Sequence, residues 1–219
     1  MDMGNDLEKK MFNKARAEKI IRNLEKRNMK GFYYENPAEA VEGICKMIQE
    51  GELVALGGSE TIIESGLIDK LRNLKIKLLD RYKEGVTKAE VDKMRTEGLL
   101  SDVFIASTNA ITLDGKLVNE DGVGNRVACM IYGPKKVIVV AGINKVVPTV
   151  DEAIKRIKSK AAPLNSIRVG IETPCHYTGV CNEPHCFPPK RICSQLVITE
   201  SSMIKDRINI FLIGEELGF

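Results

Sequence analysis

The run Lys136–Ala141 (KVIVVA) constrains the fold more than any other part of the chain. Apolar, mostly β-branched residues in unbroken succession make a strand buried on both faces, and such a strand needs a packed layer on each side. Shorter runs repeat the theme: Glu52–Leu56, Ile76–Asp80, Asp102–Ser107, Gln195–Thr199 and Ile208–Ile213 read as strands. Helix signals lie between them. Asn36 and Pro37 open a helix with Val41, Ile44, Met47 and Ile48 on its buried face, ending before Gly51. Thr87-Lys88-Ala89-Glu90 and Thr149-Val150-Asp151-Glu152 match the capping box and start helices to about Glu97 and Lys160. Asp114-Gly115 marks a hairpin between Asn109–Leu113 and Lys116–Val118, and Val127–Ile131 comes next as a helix. The opening segment sets Leu7, Met11, Ala15, Ala17, Ile20, Ile21 and Leu24 near a helical stripe, with Gly31 as its stop. Strands alternating with helices predict one α/β domain over residues 1–219, a three-layer structure around a mainly parallel sheet. The N-terminal helical segment, 1–35, is expected to form a lid or clasp.

Composition narrows the function classes. Charge is nearly balanced at +3, and no basic stripe interleaves with aromatics, so nucleic acid is not an expected partner. No apolar run reaches the roughly 18–20 residues of a membrane span. The N-terminus is studded with charge and carries no apolar block of signal-peptide type. A cytoplasmic location is therefore the expectation, where thiols stay reduced and clustered cysteines favour metal or redox chemistry over disulfides.

The cysteines are clustered. Cys175, Cys181, Cys186 and Cys193 fall within a loop at 173–194, together with both histidines, His176 and His185. Pro174, Pro184, Pro188 and Pro189 break regular structure around them. A loop wrapped this way needs something to hold it, and thiolates converging on a metal would serve. The spacing Cys-x5-Cys-x4-Cys-x6-Cys is neither a ferredoxin run nor a pair of zinc knuckles. Iron–sulfur and zinc both remain open on spacing, with either histidine able to replace a cysteine on zinc. Cys45 and Cys129 sit among apolar residues and read as small buried hydrophobes.

Polar loops succeed three of the strands. Gly57-Gly58-Ser59-Glu60-Thr61 stands where a strand gives way to a helix, a place that attracts a carboxylate or phosphate. The plainer reading makes Ser59 an N-cap and the glycines a turn. Glu64, within the next helix, is a candidate base, although most glutamates so placed are simply solvated. Asn109, Asp121, Asn125 and Arg126 surround a second glycine turn, and Asn144-Lys145 comes after KVIVVA at the strand end where α/β proteins bind ligands. Three such loops together predict one pocket for a small anion.

These residues resemble a known family. Gly57-Gly58-Ser59-Glu60-Thr61 with Glu64-Ser65-Gly66-Leu67 is similar to the glycine–serine–threonine motif of the lactate-utilisation (LUD) family. So is the stretch from Asn109-Ala110-Ile111-Thr112 through Gly124-Asn125-Arg126-Val127-Ala128 and Tyr132-Gly133-Pro134-Lys135 to Gly142-Ile143-Asn144-Lys145. The cysteine segment resembles that of small stand-alone members. The resemblance implies a fold similar to ribose-5-phosphate isomerase, glucosamine-6-phosphate deaminase and CoA transferases. It also implies a part in oxidising L-lactate, or a related 2-hydroxy acid, alongside redox partner subunits of iron–sulfur and flavin type. It favours an iron–sulfur cluster, [4Fe–4S] first, over zinc. The chain has no ferredoxin-type cysteine run and no dinucleotide fingerprint, so a complete lactate dehydrogenase in one chain is not expected. Two other classes stand beside this one. One is a self-contained isomerase-like or acyl-transfer enzyme using Glu64 with a structural zinc loop; the other is a non-catalytic redox-sensing or ligand-binding module.

Overall fold

A computed structural model describes residues 3–181 and 185–219, with side chains from residue 7 onward. Pro184 of the cysteine segment lies outside the described residues. In chain order the first half runs α1 (Met3–Glu25), β1 (Lys30–Tyr34), α2 (Pro37–Cys45), β2 (Leu53–Leu56), α3 (Glu60–Glu64), α4 (Leu67–Arg72), β3 (Lys77–Leu79), α5 (Lys88–Glu97) and β4 (Val103–Ser107). The second half runs β5 (Ala110–Thr112), β6 (Leu117–Asp121), α6 (Asn125–Ile131), β7 (Lys136–Gly142), β8 (Val146–Val147), α7 (Val150–Arg156), α8 (Ala162–Arg168), α9 (Pro174–Thr178), β9 (Gln195–Thr199) and β10 (Ile208–Ile213).

Six strands form one sheet in the order β1-β10-β7-β4-β2-β3, and every pairing in it is parallel. The period-2 alternation of side chains builds the three layers directly. On β7, Val137, Val139 and Ala141 enter one core while Ile138 and Val140 enter the other. On β10, Ile208, Ile210 and Leu212 face the first core, with Phe211 and Ile213 facing the second. Each such side chain other than Ala141, fully buried, contributes roughly 1.5–3 kcal/mol. The second core is closed by Ala40, Val41 and Ile44 of α2 and by Leu67, Ile68 and Leu71 of α4. The first is closed by α1, α6 and a smaller mixed sheet, β8-β5-β6-β9. No helix among the described residues is long and apolar enough to cross a membrane.

Three expectations are corrected. The N-terminal segment, expected to be helical and to form a lid or clasp, is helical only to Glu25 and is built into the domain: Ala17, Ile20 and Leu24 are buried in the first core, and residues 30–34 form an edge strand of the main sheet. Gly31 therefore stops no helix. A Cβ there would stand 2.8 Å from Ile21 and 2.9 Å from Leu24, so the glycine lets α1 close on its own strand. The late strand expected at Gln195–Thr199 forms with those bounds and pairs antiparallel with β6 in the smaller sheet. The helix begun at Thr149 does not end near Lys160; it passes through a π-helical stretch, Ile157–Ala161, into α8. The Asp114-Gly115 hairpin forms, with Ile111 opposite Leu117 and Gly115 at φ +87°.

Candidate active site and thiol cavity

Strands β7, β4 and β2 are neighbours in a parallel sheet, so their carboxyl ends open on one side. Three segments converge at that edge: Gly58–Thr61 after β2, Ser107–Asn109 at the end of β4, and Lys145 in a 3-10 turn after β7. The cavity they line holds about 120 Å³. Its far wall is a helix face, on which Ala161, Asn165 and Arg168 succeed one another at helical spacing. Glu120, Asp121, Gly122 and Arg126 close another side, with Ile192 and Phe219 completing the lining.

Lys145 is the chemical centre of this cavity. Its side chain is 4% exposed, yet it forms no ion pair among the described residues. The Nζ donates to Thr61 Oγ1 at 2.6 Å and to Ser107 Oγ at 2.9 Å. Those hydroxyls in turn donate to carbonyls, Thr61 to Leu217 at 3.2 Å and Ser107 to Thr108 at 3.2 Å. Two positions of the nitrogen are thereby filled and the remaining one is left for the cavity. Burial, then the charges of Arg156 and Arg126, brings the lysine down to about 7.

Arg126 proves to be a brace. Its Nε donates to Asp121 Oδ1, Nη1 to the Ser107 carbonyl and Asn119 Oδ1, and Nη2 to Asn109 Oδ1 and the Glu120 carbonyl. All five guanidinium N–H groups have partners, so the arginine brings positive charge to the wall but no spare donor. Asp121 accepts the backbone N–H groups of Arg126 and Val127 as well, capping α6. The anion-gripping role expected of Arg126 is thus replaced by one of holding the β5–β6 hairpin against α6.

Of the other expected residues, Gly58, Ser59, Thr61, Asn109 and Asp121 line the cavity. Ser59 also caps α3, accepting from the Ile62 N–H, while its own N–H donates to Tyr82. Four do not line it. Gly57 lies beneath, where a Cβ would meet Ala106 and Phe104. Asn125 is half-buried elsewhere. Asn144 and Glu64 hold the C-terminal segment: Asn144 bonds Leu217 and Gly218, and Glu64, exposed, accepts the Gly218 N–H at 2.6 Å. Sequence reasoning missed Ser107, Thr108, Glu120, Asn165, Arg168, Ile192 and Phe219. For Ser107 and Thr108 a signal existed, since they end a predicted strand; for Asn165 and Arg168 none did.

That C-terminal segment packs against Gly142, where a Cβ would fall 2.5 Å from the Leu217 nitrogen and 2.8 Å from the Glu215 carbonyl. Gly142→Ala is accordingly expected to push the segment off, at a cost of roughly 1–3 kcal/mol. A glutamate-specific protease should then cut at Glu215 or Glu216 faster than in the parent; equal rates would show that the alanine is absorbed.

A second cavity abuts the first. Cys175, Cys181, Cys186 and Cys193 all line it, with Lys158, Ala162, Thr173, Pro174, Arg191 and Ile192. Thr173 caps α9 and lies 3.0 Å from Cys175 Sγ. Arg191 braces the loop by donating to the carbonyls of Cys193 at 2.7 Å and Cys186 at 2.9 Å. Burial, then the charge of Glu120, pushes the Cys193 thiol up to about 12. His176 contacts the Ser166 carbonyl and His185 is exposed; neither lines the cavity. Among the described residues, no three His, Cys, Asp or Glu side chains form a group that could hold a metal ion. Four thiols on one cavity nonetheless match a four-iron cluster in number and kind. Cys129 is buried and Cys45 half-buried, both outside this cavity.

The two cavities share a wall. Ile192 lines both, and Glu120 in the polar cavity pairs with Lys158 in the thiol cavity at 2.7 Å.

Fold and site define a three-layer α/β protein with a small polar pocket at the carboxyl edge of its parallel sheet and a cysteine loop beside it. The chain belongs to the LUD domain family, whose pattern matches residues 17–213. A crystal structure of a DUF162 family protein from Deinococcus radiodurans is similar at TM-score 0.50 and 11% identity, covering 92% of this chain and 97% of that one. eIF2B delta from Chaetomium thermophilum matches at TM-score 0.35 and 14% identity, over 54% of this chain and 50% of that one. The eIF-2B translation initiation factor of Pyrococcus horikoshii OT3 matches at 0.35 and 20%, over 52% and 48%. The chain spans about half the length of these two eIF2B proteins. No curated protein matches the chain.

Proposed function

We propose that this chain is an iron–sulfur-containing subunit of a system that oxidises L-lactate, or a related 2-hydroxy acid, to the 2-oxo acid. The observation that carries the reading is the shared wall, which sets four cysteines beside the polar pocket through Ile192 and the Glu120–Lys158 pair. In this reading the substrate carboxylate binds at Lys145, which lines the pocket and keeps a position beyond those filled by Thr61 and Ser107. The substrate hydroxyl donates to Glu120, whose buried Oε2 has no hydrogen-bond partner among the described residues. Cys175, Cys181, Cys186 and Cys193 would hold a [4Fe–4S] cluster, which supplies one-electron transfer when bound. Oxidation releases two electrons and two protons from the hydroxy acid, and the electrons pass on to a partner subunit of flavin or iron–sulfur type. A role for Glu64 as base receives no support, because it stands outside the pocket and binds the Gly218 N–H.

The test is iron, zinc and acid-labile sulfide per chain on protein purified without oxygen, with its visible spectrum. Iron and sulfide in equal amounts, both lost in Cys193→Ser with the far-UV spectrum intact, are the expected result. Zinc without sulfide would make the loop structural and turn attention to the pocket as a self-contained enzyme. Iron unchanged in Cys193→Ser would remove that residue from the ligand set.

A further inference from the structure

Arg81 has an unusual position. Its guanidinium is half-buried and lies 5.8 Å from the centre of the Tyr82 ring, but it makes no hydrogen bond or ion pair with any described residue. A Cβ on Gly58 would stand 3.3 Å from its Nη1, so the guanidinium lies directly on a glycine that lines the polar pocket. Arg168, which lines the same pocket, is close enough to act on Arg81 electrostatically, as is Arg95. Nearby carboxylates are largely engaged: Asp92 pairs with Arg95 at 2.6 Å, and Glu60 lies 3.7 Å from Arg168. Desolvation, then these like charges, lower the pKa of Arg81, opposed by Tyr82 and Asp92. Cationic groups gathered around an uncommitted guanidinium, at the edge of a cavity, form an arrangement that an anion would relieve.

We propose a second anion subsite at Arg81, Gly58 and Arg168, so that the ligand is a 2-hydroxy acid bearing a phosphate at its far end. This rests on the pocket reading above and narrows its substrate class. The carboxylate occupies the Lys145 end, and the phosphate reaches the two guanidiniums across Gly58. A phosphate carries between one and two negative charges near neutral pH and offers three acceptor oxygens, which suits the open fork of Arg81 and the remaining donors of Arg168, whose Nε and Nη2 donate to Asn165, better than a second carboxylate does. A side chain on Gly58 would crowd the guanidinium, its Cβ falling 3.3 Å from Nη1.

Binding of 3-phosphoglycerate and of L-lactate to the purified chain, measured by calorimetry in the same buffer, tests the subsite. The expected result is 3-phosphoglycerate bound roughly ten- to a hundredfold more tightly, the range of one or two charge-assisted hydrogen bonds. Arg81→Gln should bring the ratio of the two affinities close to one, and Arg81→Lys should restore part of it. Unfolding temperatures of both variants establish that the fold is kept. Equal affinities in the parent, or an unchanged ratio in Arg81→Gln, would overturn the subsite while leaving the lactate pocket standing. No binding of either compound would overturn both.

Discussion

Replacing Lys145 with methionine is expected to weaken carboxylate binding by about a hundredfold or more, since it removes the cation at the carboxylate end of the pocket, whose nitrogen has a position beyond those filled by Thr61 and Ser107. The parent should show a matching pH dependence. With the lysine brought down to about 7 in the empty pocket, an anion that needs it protonated must draw a proton as it binds. Affinity for L-lactate should therefore hold below about pH 7 and fall roughly tenfold per pH unit above it, until the raised pKa of the bound state no longer matters. Calorimetry in buffers of different ionisation enthalpy would register the proton taken up. An affinity flat between pH 6 and about 9 would show that Lys145 does not meet the carboxylate.

The same shift acts on stability, and its sign can be worked out. Unfolded, the lysine titrates near its ordinary 10.5; folded, near 7. Between those values the unfolded chain binds more protons, so stability rises as pH climbs from about 7 towards 10.5. Below about 7 the cost of holding a buried ammonium is fully present. Lys145→Met should flatten this rise and leave the variant more stable than the parent near neutrality. Thr61 and Ser107 keep each other as partners, the Ser107 hydroxyl already donating to Thr61 Oγ1 at 3.4 Å.

Arg126→Met should do the opposite. Five donated hydrogen bonds vanish together, leaving the Asp121 carboxylate and the Asn109 and Asn119 amides in a site where both members of the ion pair are almost fully buried. Breaking one side of such a pair costs about 3–5 kcal/mol. In a chain of this length that lowers the unfolding temperature by roughly 10 °C. Arg126→Lys should recover little, because a single ammonium cannot reproduce the planar fork. Wild-type stability in Arg126→Met would mean that the hairpin and α6 hold without the brace. The contrast between the two cations is informative: Arg126 is stabilising through a carboxylate and four further acceptors, whereas Lys145 has two hydroxyls and no ion pair among the described residues.

The runs of apolar residues determined the sheet by themselves. KVIVVA could be nothing but a strand covered on both sides, and the capping signals at Asn36, Thr87 and Thr149 each accept the backbone N–H that their sequence foretells. Local chemistry is legible because strand period, caps and turns depend on residues within a few positions of one another. β1 escaped for the complementary reason: Lys30–Tyr34 looks like the tail of a helix until β10, nearly 180 residues later, pairs with it. The sequence also brought Lys145, Ser59 and Thr61 to the pocket, as residues just beyond strand ends. It could not separate Arg126, whose donors are consumed by partners on two strands, from Arg81, whose donors are not. Nor could it place Arg168 on the opposite wall, or set the cysteine loop against Glu120. Whether a charged group is spent or available depends on which distant atoms surround it, and only the tertiary structure supplies those neighbours.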